Sequence, residues 1–477
     1  MNIKEFIEKI KSNEIDIIAH TAKVIDECKK INKEYNYFNA ISEDLALEQA
    51  KELHKKIKNN DKEIKNKKLI GIAISVKDNI CVKGVESTAG SRILQGYKPL
   101  FDATVIRKAK EQGAIIIGKT SQDEFGFGSF SVNVGLGFKI PKNPFDKQRA
   151  CGGSSGGAAG LTQKASFPHI ALGESTGGSI VTPASFCSVF GLCPTYGRVS
   201  RYGLIDYANS LDKIGPLGKN LYDVALLLET ISGFDNNEST TISNPIENYT
   251  ESINKNIKNM KIGIIKESLK DIDNKIKNKL MEAVDKLNEH GIKTEEISLE
   301  LPIKHGLATY YILAASEAST NLAKYCGMRY GISDKLEGNF NEYFTKVRSH
   351  NLGPEAKRRI ILGTFARMSG YRDAYYIKAT KVRAKIVNEY KKMFKKYDAL
   401  ISPTSPILPP KFSEIKKLSP LQNYMMDVMT VSPNIAGLPH LNVPVGFADK
   451  LPVGMLMASD HLQESKLVQL GSVFEEK

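Results

Sequence analysis

Apolar residues near the start of the chain recur at helical spacing. Between residues 3 and about 58, positions such as Ile17, Ile18, Ala22 and Ile25 are spaced as on a helix. A charged, Asn-rich stretch at 57–68 separates this region from the strand-like run LIGIAISV at 69–76. The pattern therefore predicts a helical N-terminal cap over residues 1–68.

The pattern changes over residues 69–234. Short apolar segments predict strands, among them 114–117 and 169–172, and they alternate with helical segments and glycine-dense turns. Loops held by a rigid scaffold are where binding and catalytic residues concentrate. We therefore expect the chemistry in residues 69–234.

The last half of the chain also alternates. A polar run at 235–258 predicts a surface loop, and a long helical zone at 354–395 precedes a Pro-rich C-terminal part. The segments between and after them predict a β-α-β unit and a further strand: Lys261–Ile265, a helix near Asn274–His290 closed by Gly291, Lys293–Ile297 and Tyr397–Ser402. The predicted fold is α/β in one domain over residues 1–477, with 235–477 completing the sheet and carrying helices.

Composition narrows the class of protein. The chain has 477 residues, of which 41% are hydrophobic and 25% charged, which excludes a wholly disordered or fibrous chain. It lacks an apolar run of about 18 residues, and its first residues lack the apolar segment of a signal peptide. We expect no membrane contact and a cytoplasmic location, with an organellar matrix left open. The six scattered cysteines, none in a Cys-x-x-Cys pair, fit a reducing compartment.

The net charge of +14 suggests a nucleic-acid partner, because neutralising phosphates requires a basic face. Lysine is, however, mixed with Asn and Ile throughout, as in KKIKNNDKEIKNKK. The charge is therefore typical of a general compositional bias.

Two motifs suggest other chemistries. Residues 113–120 match the phosphate-loop pattern G-x-x-x-x-G-K-[ST], but the variable residues Ala-Ile-Ile-Ile read as a buried strand rather than a loop. His169 or His440 could serve as the base of a serine hydrolase, although neither lies in a recognisable setting. We expect these features to be structural.

The strongest signal combines two glycine–serine segments with an upstream lysine. The segments are CGGSSGG at 151–157 and GESTGGSI at 173–180, and the lysine is Lys77 at the end of a predicted strand. Glycines beside serines allow the backbone to approach a ligand closely and to adopt unusual dihedral angles. One such pair alone would indicate a tight turn. Their order and spacing together argue against a set of unrelated turns.

These residues make the chain resemble the amidase-signature family, and within it the A subunits of tRNA-dependent amidotransferases. The resemblance runs over nearly the whole chain, through GIAISVKDNI, GGSSGG, TGGSI, PTYGRVSRYGL, PEAKRRIILGTF and TVSPNIAGLPHLNVPVGF. It implies a central mixed β-sheet covered by helices on both faces. It also implies glutamine hydrolysis that supplies ammonia for conversion of glutamyl-tRNA(Gln), and often aspartyl-tRNA(Asn), to the amidated form.

The resemblance implies a Ser–cis-Ser–Lys triad. It assigns Ser179 as the nucleophile, Ser154 as the bridging serine on a cis peptide bond, and Lys77 as the base. A serine hydroxyl needs a neighbouring base, and lysine is a base only when neutral, so we expect Lys77 to be buried with its charged form disfavoured. The N–H groups of Thr176, Gly177 and Gly178 are expected to form the oxyanion hole.

The resemblance also implies a glutamine-binding set. Arg359 would bind the α-carboxylate, Asp427 the α-ammonium, and Tyr310 would add a contact, since buried charges must be paired. The adjacent Arg358 and Tyr311 leave the register open. No cofactor or metal is expected on this chain. ATP and Mg²⁺ are expected at a partner B subunit, with a small C subunit completing the complex and misacylated tRNA bound mainly by the partner.

The chain departs from the family pattern close to the nucleophile. Glu174 and Ser175 replace the usual Ser/Thr-Asp, and Val181 replaces Arg, which is compatible with loss of a mutually paired couple. Ser121, Phe130 and Val132 replace polar family residues, and one residue is inserted within 160–168. Altered support changes active-site geometry. A stand-alone small-molecule amidase and a catalytically weakened scaffold subunit therefore remain as alternatives to an active glutaminase.

Overall fold

The structure is a computed structural model that describes residues 2–59 and 61–475. Its centre is one mixed sheet, which within the described residues has eleven strands in the order β1-β3-β2-β4-β6-β5-β10-β11-β9-β7-β8. The strands are β1 Phe38–Ile41, β2 Ala73–Lys77, β3 Ile115–Thr120, β4 His169–Ser175, β5 Phe190–Cys193, β6 Lys213–Gly218, β7 Lys261–Ile265, β8 Lys293–Ile297, β9 Ala399–Pro403, β10 His440–Ala448 and β11 Leu451–Ala458.

Helices flank this sheet. In chain order they are α1 Ile3–Lys11, α2 Ile17–Tyr35, α3 Glu43–Lys58, α4 Lys62–Lys65, α5 Thr104–Glu111, α6 Gly156–Lys164, α7 Val181–Phe186, α8 Leu221–Ile231, α9 Tyr249–Ser252, α10 Asn274–Glu289, α11 Glu300–Asn321, α12 Phe340–Asn351, α13 Pro354–Arg367, α14 Lys378–Met393, α15 Phe412–Ile415, α16 Pro420–Met425, α17 Val431–Ile435 and α18 Glu464–Gly471. Short 3-10 turns and one π-helical turn at Asp373–Ile377 connect some of them.

Both faces of the central strands are covered. Every residue of β2, β3, β4 and β11 is buried. Because successive side chains of a strand point to opposite faces, uninterrupted burial requires packing on both sides. The fold is therefore the α/β arrangement that the sequence analysis predicts.

Local signals place several elements where they were predicted. The β-α-β unit at 261–297 is observed, and Asp273 accepts a hydrogen bond from the N–H of Lys275 at the start of its helix. Gly291, just past the helix end, has φ +80°, a conformation that favours glycine. The segment 113–120 is the buried strand β3 rather than a phosphate loop.

Three segments differ from the predicted pattern. The N-terminal region contains β1, which pairs with β3 and thus adds a strand to the expected helical cap. The predicted loop at 235–258 includes the short helix α9, whose Tyr249 is buried. The helical zone at 354–395 is interrupted between α13 and α14, where Met368 leaves helical dihedrals and a π-helical turn follows. The first two elements depend on packing against distant residues, β1 against β3 and Tyr249 against Arg198, whereas the residues of the π-helical turn are not buried.

Within the part of the chain that the structure describes, none of the helices has the length and apolar character needed to cross a bilayer.

Candidate active site

Three strand ends meet at one edge of the sheet. β2 and β4 are parallel neighbours, so Lys77 at the end of β2 lies near the end of β4, where Glu174 and Ser175 are located. β6 is antiparallel to β4, and its pairing of Ser175 with Lys213 brings the preceding Asp212 to the same edge. Ligand sites commonly lie at the carboxyl ends of parallel strands. Of the residues that the sequence analysis singled out, this edge holds Lys77, Glu174 and Ser175.

Lys77 and Ser154 are in direct contact. The Lys77 side chain is fully buried, and its Nζ lies 2.7 Å from Ser154 Oγ. The peptide bond between Gly153 and Ser154 is cis, as the family resemblance implies. The structure thus brings together two members of the predicted triad from segments 77 residues apart.

Lys77 also meets a carboxylate that the sequence analysis did not anticipate. Its Nζ lies 2.9 Å from Glu174 Oε2 and 2.8 Å from the Glu174 carbonyl oxygen. The expected burial of Lys77 is observed, and the Glu174 carboxylate beside it is an additional partner that the sequence analysis did not include.

Ser179 lies at the end of a tightly packed loop, residues 176–179, and is 7% exposed. Its carbonyl oxygen accepts a hydrogen bond of 3.2 Å from the N–H of Ser155, which joins the two glycine–serine segments. A Cβ on Gly178 would overlap the hydroxyl of Thr430, and one on Gly177 would lie 2.9 Å from the Tyr310 ring. The two glycines are required because this loop packs against neighbouring side chains.

The same loop presents backbone donors. Among residues 2–59 and 61–475, no hydrogen-bond acceptor is paired with the N–H groups of Thr176, Gly177 or Gly178. Buried N–H groups without partners are uncommon in native proteins. Their arrangement beside Ser179 is typical of a site that stabilises developing negative charge.

Asp427 is buried and held by two hydroxyl groups. Its Oδ2 accepts hydrogen bonds from Ser129 Oγ at 2.9 Å and from Tyr311 Oη at 2.7 Å. Burial raises the pKa of Asp427, although the Tyr311 and Ser129 hydroxyls oppose the rise. The charge of Arg359 also opposes the rise, and a cation bound beside Asp427 would act in the same direction.

Arg359 is the buried arginine of the predicted pair. It is 3% exposed, whereas Arg358 points outward and pairs with Glu355. Arg359 donates through Nε to Glu355 at 2.9 Å and through Nη1 to the Tyr207 hydroxyl. In the described residues its Nη2 has no hydrogen-bond partner. The structure thus shows which of the two arginines faces the interior.

Aromatic rings enclose the Arg359 guanidinium. Its central carbon lies 5.0 to 5.7 Å from the ring centres of Phe127, Tyr207, Tyr311 and Tyr424. Stacking of this kind suits a delocalised cation and fixes its orientation. A cavity of about 280 Å³ adjoins Arg359 and is also bordered by Ser129 and Tyr424.

Tyr310 and Tyr311 both reach the site. The Tyr310 ring packs against Gly177, and Tyr311 bonds to Asp427. The sequence analysis selected Tyr310 and left open whether the adjacent Tyr311 is the contact residue instead. It missed Ser129, Tyr207 and Tyr424, for which spacing along the chain offers no signal because they come from three separate segments.

The substituted positions near the nucleophile are buried. Ser175 lies beside the thiol of Cys193, and Val181 begins α7 with no exposed surface. Neither side chain carries a charge, so replacing an Asp–Arg couple leaves no unpaired ion at these positions. Phe130 instead belongs to an apolar cluster with Ala150, Phe186 and Ile415.

The two candidate histidine bases lie elsewhere in the sheet. His169 contacts Ser75 Oγ at 2.9 Å, and burial lowers its pKa to about 3. His440 contacts the carbonyl of Leu438, and burial holds its pKa well below the ordinary value. Both are buried in the sheet, and their hydrogen-bond contacts are with Ser75 and Leu438 rather than with a serine of the glycine–serine segments. Within the described residues, no group of three or more His, Cys, Asp or Glu side chains is arranged to hold a metal ion.

Comparison with known proteins places this site in a family. The sequence model of the family described as Amidase matches residues 19–468. The A subunit of glutamyl-tRNA(Gln) amidotransferase from Sulfurihydrogenibium sp. is 42% identical over 479 aligned residues, covering 99% of this chain and 96% of that protein. A glutamyl-tRNA(Gln) amidotransferase A subunit from Clostridium acetobutylicum, numbered 2, is 46% identical, covering 95% of this chain and 94% of that protein.

A solved structure agrees with these relatives. The crystal structure of the glutamyl-tRNA(Gln) amidotransferase A subunit from Thermotoga maritima is 34% identical and superposes with a TM-score of 0.79. The match covers 99% of this chain and 93% of that one. Sequence, fold and the Lys77–Ser154 geometry lead to one assignment: the chain belongs to the amidase-signature family.

Proposed function

We propose that this chain is the glutaminase subunit of a tRNA-dependent amidotransferase. It hydrolyses glutamine and releases ammonia, which a partner subunit uses to convert glutamyl-tRNA(Gln) to glutaminyl-tRNA(Gln). The observation that carries the proposal is the buried 2.7 Å contact between Lys77 Nζ and Ser154 Oγ, next to the Ser179 loop. The names of the relatives, which the chain matches over 94% or more of their length, support the substrate and the subunit role.

In the proposed mechanism, Ser179 Oγ attacks the side-chain amide carbon of glutamine. Its proton passes through Ser154 to Lys77, which must be neutral at that moment, and Lys77 returns it through Ser154 to the leaving nitrogen. The N–H groups of Thr176, Gly177 and Gly178 stabilise the oxyanion. Ammonia leaves, a glutamyl ester remains on Ser179, and water hydrolyses the ester by the same route.

Recognition of glutamine is proposed to use the two buried charges. Asp427 binds the α-ammonium, and Arg359 donates through Nη2 to the α-carboxylate within its aromatic enclosure. Tyr310 packs against Gly177 and limits the width of the site near the amide. Two opposite charges at fixed positions favour an α-amino acid over a simple amide, which argues against the stand-alone amidase alternative.

Asp427→Asn is expected to raise the KM for glutamine about 10- to 100-fold with a smaller change in kcat. The neutral amide keeps an acceptor for Ser129 and Tyr311 but loses the ion pair with the α-ammonium, which is worth about 1.5–3 kcal/mol. Steady-state hydrolysis of glutamine tests this. Hydrolysis of an amide that lacks the α-ammonium should be unchanged in the variant, and an equal loss on both substrates would count against the assignment.

Partner binding is supported by an exposed apolar surface. Helix α13 and the turn after it expose large apolar side chains, at Ile361, Leu362, Phe365, Met368, Tyr371 and Tyr375. Contiguous exposed apolar side chains commonly mark an interaction site.

The proposed complex contains a B subunit that activates misacylated tRNA with ATP and Mg²⁺ and a small C subunit. No cofactor is proposed on this chain, and a cytoplasmic location is proposed, with an organellar matrix as the alternative because translation occurs there as well.

The decisive test is amidation of glutamyl-tRNA(Gln) by the co-purified complex, with glutamine and with ammonia as donors. Both donors should work, and without this chain only ammonia should work. If ammonia alone works in the complete complex, the glutaminase is silent and the chain is a scaffold subunit. If the chain hydrolyses simple amides as well as glutamine and binds no partner, it is a stand-alone amidase.

A further inference from the structure

Glu174 sits behind Lys77 with both carboxylate oxygens engaged. Oε2 accepts hydrogen bonds of 2.9 Å from Lys77 Nζ and from Asn79 Nδ2, and Oε1 lies 3.0 Å from Thr176 Oγ1. Its side chain is 1% exposed. A buried carboxylate surrounded by donors is stabilised as an anion. Glu174 is therefore the counter-ion of the lysine in the proposed triad.

The hydrogen-bond geometry around Lys77 matches an ammonium group. Its Nζ is within bonding distance of Ser154 Oγ, the Glu174 carbonyl oxygen and Glu174 Oε2. An ammonium has three donors and no acceptor, so these partners account for all of its protons. In this state Lys77 cannot accept the proton of Ser179.

Thr176 connects Glu174 to a second buried carboxyl group. Its Oγ1 lies 3.0 Å from Glu174 Oε1 and 2.8 Å from Asp212 Oδ1. A hydroxyl has one proton and cannot donate to two carboxylates at once. One of the two acids must therefore carry a proton and donate it to Thr176.

Asp212 is the acid that holds this proton. Burial, together with the charge of Glu174, raises the pKa of Asp212 well above the ordinary value. Its carboxyl group also accepts hydrogen bonds from the N–H groups of Tyr207 at 2.9 Å and Ala208 at 3.0 Å, so it can accommodate charge when required. At rest the buried group comprises charged Lys77, charged Glu174 and neutral Asp212, and its net charge is zero.

Of the three linked groups Glu174, Thr176 and Asp212, it is Asp212 that faces a second cavity. It borders a cavity of about 580 Å³ that is lined as well by two ion pairs, Arg201 with Glu238 and Lys324 with Asp206. Of these groups Arg201 favours a negative charge on Asp212, a stabilisation that Glu174 lacks once Lys77 is neutral. The geometry therefore offers a place to which the charge of Glu174 can be moved.

We propose that Glu174, Thr176 and Asp212 form a proton relay that controls the charge state of Lys77. When Lys77 loses a proton to solvent, Asp212 donates its proton to Thr176 Oγ1, and the Thr176 hydroxyl proton passes to Glu174 Oε1. Glu174 becomes neutral, Asp212 becomes the carboxylate, and Lys77 no longer has a counter-ion that favours its ammonium form. The relay rests on the proposed function, because it prepares the base that Ser179 requires. Glu174, Thr176 and Asp212 act through Lys77 and are positioning residues in this respect.

Other charged or titratable groups face the relay and must be considered. Asp123 lies in the segment after β3, where the charge of Lys77 opposes the rise of its pKa, which burial raises to about 6. Arg201 acts on Asp212 and opposes the rise in its pKa. Cys193 on β5 faces Glu174 and Lys213, and burial raises the pKa of its thiol. None of these groups is hydrogen-bonded to both Glu174 and Asp212. Substitutions of Glu174 and Asp212 therefore test the relay rather than the neighbouring charges.

Two isosteric substitutions should move the pH dependence of glutamine hydrolysis in opposite directions. Glu174→Gln removes the counter-ion of Lys77, so the acidic limb of kcat/KM should shift to lower pH by at least about one unit. Asp212→Asn imitates the protonated acid but cannot release a proton, so Glu174 stays charged and the limb should shift to higher pH. In the double variant the acidic limb of kcat/KM should lie at the same pH as in Glu174→Gln alone. Asp223→Asn, a buried carboxyl group in α8 away from the relay, is the matched control and should leave the limb unmoved.

The outcomes separate the relay from the proposed function. Shifts of the same sign, or additive shifts in the double variant, would overturn the relay while leaving a Ser179-dependent glutaminase intact. If the wild type shows no Ser179-dependent hydrolysis, the function fails, and infrared spectroscopy then tests the relay directly. The relay predicts a protonated-carboxyl band at neutral pH that Asp212→Asn removes and that titrates at lower pH in Glu174→Gln. A wild type without that band contradicts it.

Discussion

Ser179→Ala is expected to reduce glutamine hydrolysis at least ~10³-fold in kcat. The hydroxyl is the proposed point of attack, and alanine offers no atom that could form the glutamyl ester. Because the partner subunit uses ammonia directly, ammonia-driven amidation by the assembled complex should continue at the wild-type rate. The measurement compares glutamine and ammonia as donors in the same preparation.

Ser185→Ala is the matched control for Ser179→Ala. Ser185 lies in α7 just beyond the nucleophile loop and is 3% exposed, so it tests the loss of a buried serine hydroxyl in the same region. It should retain glutamine hydrolysis. A Ser179→Ala complex that still hydrolyses glutamine at a rate close to wild type would show that another residue is the nucleophile.

Lys77→Met is expected to abolish glutamine hydrolysis and also to lower the free energy of unfolding by about 3–5 kcal/mol. The first effect follows from loss of the proposed base. The second follows because the linked acids Glu174 and Asp212 would still carry one negative charge between them, with no buried lysine to balance it. Urea unfolding at neutral pH measures the stability, and glutamine hydrolysis measures the activity.

The double variant Lys77→Met/Glu174→Gln separates these two effects. Removing the orphaned charge should recover most of the lost stability, while activity stays absent because no base is restored. Equal destabilisation of the single and double variants would show that the Lys77–Glu174 ion pair is not the cause. Recovery of activity in the double variant would contradict the role of Lys77.

The short-range patterns of the chain predict much of the fold. Strands β7 and β8 have the predicted bounds, because β7 is a short apolar run and Gly291 marks the turn that precedes β8. The strand at β1 was not predicted, since four residues that pair with β3 carry little periodic signal of their own. The break between α13 and α14 was missed for a related reason: exposed apolar side chains there continue the helical pattern.

The residues of the candidate site also fall into two groups: those that the sequence identifies and those that only the structure identifies. Lys77, Ser154 and Ser179 could be selected because glycine-rich segments and a strand-end lysine are distinctive in order and spacing. Ser129, Tyr207 and Tyr424 could not be selected, because they reach Asp427 or Arg359 only after distant segments pack together. The choice of Arg359 over Arg358 also required the structure, which shows which side of α13 faces the core.

By itself, the sequence determined the α/β class, the family and the identity of the three proposed triad residues. These depend on residue type, local periodicity and motif spacing, which are properties of contiguous segments. Only the tertiary structure showed that Glu174, a departure from the family pattern, is the counter-ion of Lys77 and is linked through Thr176 to Asp212. The charge state of a buried group depends on its neighbours in space, and those neighbours come from three strand ends that the sheet brings together.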